Sequence, residues 1–447
     1  MATRTKRAAR LSKTDADVIV IGAGAAGLAA AERLCARGLR VIVLEARERV
    51  GGRLWTRRGP DWPLPIELGA EFLHGDTPEV MRIVSAAHLA VVEAPPSHWR
   101  KVARVLSEDL SFDKMLQRTM ARVKSVVERR GERSFEQALM EAQVAEPARS
   151  QALAFVEGFH AASAARISAR ELSKENLGVE SLKRVVSGFG DVVTALERRL
   201  PPETLQLGRI VSAIRWRRGQ IKVSSRTTTG SPAADLRASK AIVTLPLGLL
   251  QARSPFSIDF DPPLRAKDAP LAKLAMGNVV KLVFRFREAF WEDEKLVRTK
   301  QGNPQTIGLM HGPGLALPTW WTQLPIHAPM LTAWAGGAQA EPLSDANDRE
   351  LIARALDSLA QLLGVPPRVP HEQLVAWHRH DWASDPASAG AYSYPLVGAG
   401  NAASRLALPL ENTLYFAGEA TCAWPENGTV EGALESGKRA AAEIHAE

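Results

Sequence analysis

Two hydrophobic periods alternate along the 447-residue chain. Short, nearly unbroken runs of β-branched and other apolar residues mark strands buried on both faces. Such runs occupy 17–21, 39–45, 240–244 and 412–416. Between 77 and 183 the spacing becomes helical, over 81–90, 111–130, 134–144 and 148–165. A strand pair follows at 209–214 and 220–223, ahead of a polar, turn-rich stretch at 226–232. Longer strands are predicted at 279–286 and 330–335, and a closing helix at 429–446. No internal repeat is visible. Strands of parallel-sheet type thus occur at both ends and in the middle, which predicts an α/β fold of two discontinuous domains. A Rossmann-like domain takes 15–78, 184–264 and 402–447. An α+β domain takes 79–183 and 265–401, its 79–183 part being a helical subdomain.

The first two strands flank Gly22-Ala23-Gly24-Ala25-Ala26-Gly27 and an alanine-rich helix ending near Gly38. This is a βαβ unit with a G-x-G-x-x-G loop. Gly22 permits the tight turn, Gly24 lets backbone approach a pyrophosphate, and Gly27 lets helix and strand pack closely. The helix N-terminus offers unpaired N–H groups and a positive dipole end to phosphate. Glu45, about 20 residues on, is placed to hold a ribose hydroxyl pair. A second glycine stretch, Gly398 to Ala403, has similar spacing. Pro395 interrupts the run before it and Pro409 ends any helix after it, so it reads as a loop. One dinucleotide is expected.

Charge and cysteine content narrow the partners. The chain carries a formal net charge of +8. Five of its cations, Arg4, Lys6, Arg7, Arg10 and Lys13, lie in an arm over 1–14 that has no acid and no apolar core. It is not a secretory signal and reads as a disordered terminus, with no nucleic-acid partner assigned. No apolar run is long enough to span a bilayer. Two cysteines, Cys35 and Cys422, make neither a disulfide framework nor a metal site and point to a reducing, cytoplasmic setting.

After Glu45 the chain continues Ala46-Arg47-Glu48-Arg49-Val50-Gly51-Gly52-Arg53. This E-A-x-x-R-x-G-G-R string, with the glycine loop, resembles the opening of the FAD-dependent flavin amine oxidases, the family of monoamine and polyamine oxidases and flavin-type histone lysine demethylases. The resemblance spans nearly all of the chain beyond the arm. It implies FAD in a domain of the glutathione-reductase/hydroxylase type, with Arg53 neutralising pyrophosphate charge. Gly69, Ala70, Glu71 and Phe72, within Glu67 to Gly75, resemble the segment beneath the isoalloxazine ring. Ser187 to Gly190 resembles the segment leading back to the cofactor domain, and Val211 the residue whose backbone meets adenine. Ala241 to Leu249 matches the V-T-x-P-L-G turn. Leu414 to Thr421 matches the C-terminal cofactor strand, with Gly418 and with Glu419 toward the ribityl chain. Thr429 and Val430 begin a helix whose positive end would face the flavin pyrimidine.

The resemblance also implies the chemistry. Lys281 stands at the lysine that holds a water at flavin N5. His74 stands where some polyamine oxidases have His, and it is expected to bond the substrate nitrogen and titrate near neutrality. Trp382 to Tyr394 resembles the W…G-x-Y-S/T-Y segment along the flavin. Tyr392 would form one wall of the amine's cage, and Thr429 takes the place of the opposite tyrosine. Ala391 replaces the flavin-linking cysteine, so FAD is expected to be non-covalent. Trp424, Trp320, Trp321 and Trp334 are pocket or core, and Glu157 is a candidate for a distal amine. The implied reaction oxidises a C–N bond of a primary or secondary amine by hydride transfer to N5. O2 then gives hydrogen peroxide, and imine hydrolysis gives an aldehyde. Two enzyme rivals stay open: an L-amino-acid oxidase clamping a carboxylate through Arg166, Arg184 or Arg379, and a carbon–carbon desaturase, against which Lys281 and Tyr392 argue. A non-catalytic flavin-binding scaffold is the rival from another class. Which amine is used, and whether the chain pairs as a homodimer, stay open.

Overall fold

The computed structural model describes residues 14–95, 97–102, 105–175, 182–251 and 253–444. Nearly all of the predicted basic arm lies outside the described residues. The centre of the nucleotide-binding half is a parallel five-stranded sheet in the order Leu205–Gln206, Val41–Leu44, Val18–Ile21, Lys240–Val243, Leu414–Phe416. Val18 to Ile21 pair in register with Val41 to Leu44 on one side and Lys240 to Val243 on the other. Their apolar side chains are buried on both faces, which is why these runs lack polar alternation. The helices Ala25–Cys35 and Val430–Glu443 cover one face, where Leu28, Leu34, Leu434 and Ala440 share a core with Val18 and Val20.

A seven-stranded sheet carries the other half, in the order Leu374–Arg379, Val279–Phe286, Met330–Gly336, Thr319–Trp321, Leu309–His311, His98–Val102, Val105–Glu108. One row of cross-strand partners crosses it: Lys281, Trp334, Thr319, His311 and Arg100. Helices Phe112–Arg130, Phe135–Glu141 and Ala148–Phe159 form a separate apolar cluster that also takes Tyr394.

Several boundaries differ from the pattern-based expectation. The 79–183 stretch is not helical throughout, because Val91–Ala94, His98–Val102, Val105–Glu108 and the first residues of Leu182–Val185 are strands. Trp99 and Leu106 bury one face of the pair at 98–108, while charged neighbours disguise its alternation. The helix read over 81–90 is Pro78–Ala86, with Pro78 in its first turn and His88 left-handed at φ 54°. The helix read over 148–165 stops at Phe159, since Ala161 is also left-handed at φ 48°. After the glycines at 398–400 only a short helix, Ala402–Ala407, forms before Pro409. The strand before them, Ser393–Pro395, is antiparallel to Leu274–Met276, so no second βαβ cradle exists there.

Candidate active site

One cavity of about 1090 Å³ runs from the glycine loop to the edge of the seven-stranded sheet. Its nucleotide end is built by steric necessity. Gly22 has φ +105°, and a Cβ on Gly27 would lie 1.9 Å from the Gly22 carbonyl oxygen. A Cβ on Gly24 would meet nothing within 4 Å and would project into the cavity, filling the cradle. Gly24 is also the N-cap of the first helix and supplies no side-chain cap, so the first N–H groups are left for an anion. Glu45 is held by the N–H groups of Ala23 (2.8 Å) and Arg47 (2.9 Å), one on each carboxylate oxygen. It is buried at the cavity wall with lone pairs left for hydroxyl donors. These features fit a dinucleotide with a ribose and a pyrophosphate, as FAD has.

Ala26, Ala46, Arg47, Gly52, Arg53, Gly69, Ala70, Phe72, Val211, Trp382, Gly418, Glu419, Thr429 and Val430 all line the same cavity. Several of their polar groups are engaged by protein. Arg53 donates to Glu419 Oε1 (2.9 Å) and the Ala391 carbonyl (2.6 Å). The other Glu419 oxygen accepts from Ser393 N–H and hydroxyl and from Gly428 N–H. Glu419 therefore ties three chain segments together at the cavity wall. Arg47 pairs with Asp385 at 2.8 Å. Trp382 Nε1 donates to the Leu68 carbonyl, fixing its ring.

Toward the seven-stranded sheet Lys281, only 5% exposed, points from its strand into the cavity wall. It donates to the Gly69 carbonyl at 3.0 Å and to Glu71 Oε2 at 2.8 Å. Glu71 Oε1 accepts from Arg184 Nε at 3.1 Å and Trp321 Nε1 at 2.9 Å. Burial would raise the Glu71 carboxyl, but Lys281 and Arg184 outweigh that and hold it below the usual range. Glu67, next to this group, goes the other way: burial dominates and pushes it up to about 7. Tyr392 donates to the Phe159 carbonyl at 2.7 Å, and burial keeps its phenol un-ionised.

His74 lines the cavity against the edge of Phe159, ring centroids 5.3 Å apart, and its Nδ1 has no hydrogen-bond partner. Contrary to expectation it does not titrate near neutrality. Burial lowers it to about 4, so at pH 7 it is a neutral imidazole. Thr429 is spent on capping: its hydroxyl donates to the Glu426 carbonyl and accepts from Gly432 N–H. Trp321, Trp334 and Trp424 line the cavity, whereas Trp320 is fully buried core. Glu157 lies off the cavity, its carboxylate 3.4 Å from Ala164 N–H. Neither cysteine reaches the cavity. Cys35 faces Thr204 at 4.0 Å, and Cys422 donates to the Gly432 carbonyl.

Sequence reasoning missed the far end. His98 Nδ1 and His311 Nε2 are hydrogen-bonded at 2.9 Å, both rings stack with Phe112, and Asp113 lies 3.5 Å from His98. Phe155 and Phe159 stack between this group and His74, at 5.2 Å. No local pattern marks this assembly, because its members come from two strands and two helices. Among the described residues no group of three His, Cys, Asp or Glu is arranged to hold a metal, and no helix is long and apolar enough to cross a membrane.

Comparison with known proteins shows the family. The family described as flavin containing amine oxidoreductase matches residues 25–445. Polyamine oxidase 4 of Oryza sativa subsp. japonica is 28% identical over 460 residues, which cover 95% of this chain and 88% of that protein. Among solved structures, wild-type putrescine oxidase bound to putrescine superposes with TM-score 0.77 at 23% identity, over 97% of this chain and 99% of that one. Cyclohexylamine oxidase from Brevibacterium oxydans IH-35A gives 0.79 at 21% identity, over 96% and 98%. The chain belongs to the flavin containing amine oxidoreductases. It is an FAD-dependent amine oxidase with their mixed α/β fold.

Proposed function

We propose that the substrate is a polyamine, and that FAD is bound without a covalent link. The carrying observation is the row Lys281, Trp334, Thr319, His311, Arg100, every member of which lines the cavity. It crosses five neighbouring strands, so its ends stand roughly 19 Å apart at the usual spacing of about 4.8 Å. That length suits an extended chain with amines at intervals. Carboxylates of Asp109 and Asp113 line the far part, where Asp109 is already paired with Arg100 at 3.0 Å. A monoamine would leave that part unused.

The roles follow from local chemistry. FAD, when bound, would supply the oxidant for hydride removal from the carbon beside nitrogen, with the electrons passing on to O2 to give hydrogen peroxide. Tyr392, with the Trp424 and Trp334 rings, excludes water from the amine, which favours its neutral form, while π faces still admit the cation on entry. Neutral His74 accepts a hydrogen bond from the amine nitrogen. Lys281 would offer an ammonium N–H to the flavin's reactive edge from the cavity wall. Water entering behind the oxidised substrate hydrolyses the imine to aldehyde and amine.

An amino-acid substrate would need a cationic clamp. Arg166, Arg184 and Arg379 do not line the cavity, and Arg379 is paired with Asp348 at 2.6 Å. We place the enzyme in the cytoplasm, where both free thiols stay reduced, and leave its assembly to measurement. A panel of polyamines, monoamines and amino acids with peroxide readout tests the reading. Polyamines should turn over best, and Asp113→Asn should raise KM about fivefold for polyamines alone. Equal turnover of a short monoamine, with no effect of the substitution, would refute it.

A further inference from the structure

The contacts around Lys281 extend beyond the lysine itself. An ammonium has three N–H donors. Two are taken here, by the Gly69 carbonyl and by Glu71, and the third is left for the cavity that Lys281 lines. Glu71 is equally constrained. Its second oxygen is held by Arg184 and by the Trp321 indole. Arg184 in turn donates to the carbonyls of Thr322 (2.9 Å) and Leu324 (2.7 Å) and lies over the Phe72 ring at 4.4 Å. All three charged residues are 9% exposed or less. Such a buried +/−/+ set costs desolvation that apolar residues would avoid, so its retention calls for a reason beyond packing.

We propose that Glu71 and Arg184 are positioning residues for Lys281, fixing its charge and turning its third N–H into the cavity. Arg184 locks the carboxylate, the carboxylate locks the ammonium, and the set presents one net positive charge where negative charge develops on reduction. The proposal rests on Lys281 acting at the flavin's reactive edge.

A double-mutant cycle on the holoenzyme separates the two ideas. Lys281→Met, Glu71→Gln and the double variant are compared by anaerobic flavin reduction, by reoxidation with O2, and by the reduction potential of the bound flavin. Lys281→Met should slow one half-reaction about tenfold with FAD retained, and Glu71→Gln should slow the same one about fivefold. Added to Lys281→Met, the Gln substitution should change it by less than about twofold. The potential should move positive for Glu71→Gln and negative for Lys281→Met, since reduction adds negative charge beside each. Equal slowing by Glu71→Gln in both backgrounds, or an unmoved potential, overturns the proposal and leaves Lys281 intact. Wild-type rates in Lys281→Met would remove the reading of Lys281 and the proposal with it. If Glu71→Gln yields no holoenzyme, Glu71→Asp replaces it, with about threefold slowing expected only where Lys281 is present.

Discussion

Glu67 shows how far a single residue's behaviour departs from its type. Its carboxylate is buried, accepts from the Thr56 hydroxyl and the Phe189 N–H, and is pushed up to about 7. The folded protein thus binds this proton more tightly than the unfolded chain does. Stability from this group is full below about pH 4.5 and is lost as pH rises toward about 7, by about 3 kcal/mol. Glu67→Gln should remove that slope: the wild-type denaturant midpoint should fall relative to the variant between pH 5 and 8. Parallel midpoints across that range would show that Glu67 is ionised throughout. At this scale the sequence was readable where constraint is local. Glycines 22, 24 and 27 answer to chirality and contact within one turn, and the Ala391 position is a matter of identity alone. The Lys281–Glu71–Arg184–Trp321 set was not readable, since four distant segments meet there. Nor was the low value at His74, because desolvation sums over every neighbour.

Elements decide which side chains can reach the cofactor. The first helix carries Cys35 to its far end, and the turn after Glu419 aims Cys422 at a backbone carbonyl. Ala391, which lines the cavity, offers no thiol. Acid precipitation should therefore leave all yellow colour in the supernatant, and colour kept in the pellet would overturn the non-covalent reading. The strands best predicted were those buried on both faces, whose apolar runs are unmistakable. Among those missed, His98–Val102 and Val105–Glu108 lie at a sheet edge where one face is charged. They matter, since His98 and Arg100 belong to the cavity's far end. Helix ends were misjudged where left-handed residues such as Ala161 stop a helix without a glycine or proline to announce it.

Across the whole molecule, the five-stranded and seven-stranded sheets join around one long cavity, and Lys281 lines it from the second. The family resemblance legible in the sequence followed this arrangement, because its motifs lie on the segments that line the junction. What the motifs could not convey was the length of the cavity and its imidazole-and-carboxylate end. The account stands on amines reducing the bound flavin, and anaerobic mixing of the yellow holoenzyme with polyamines, monoamines and amino acids measures that step alone. A polyamine should bleach the flavin fastest, with amino acids slowest. A flavin that stays yellow with every amine would contradict an amine oxidase, and fastest bleaching by an amino acid would contradict the substrate read from the cavity.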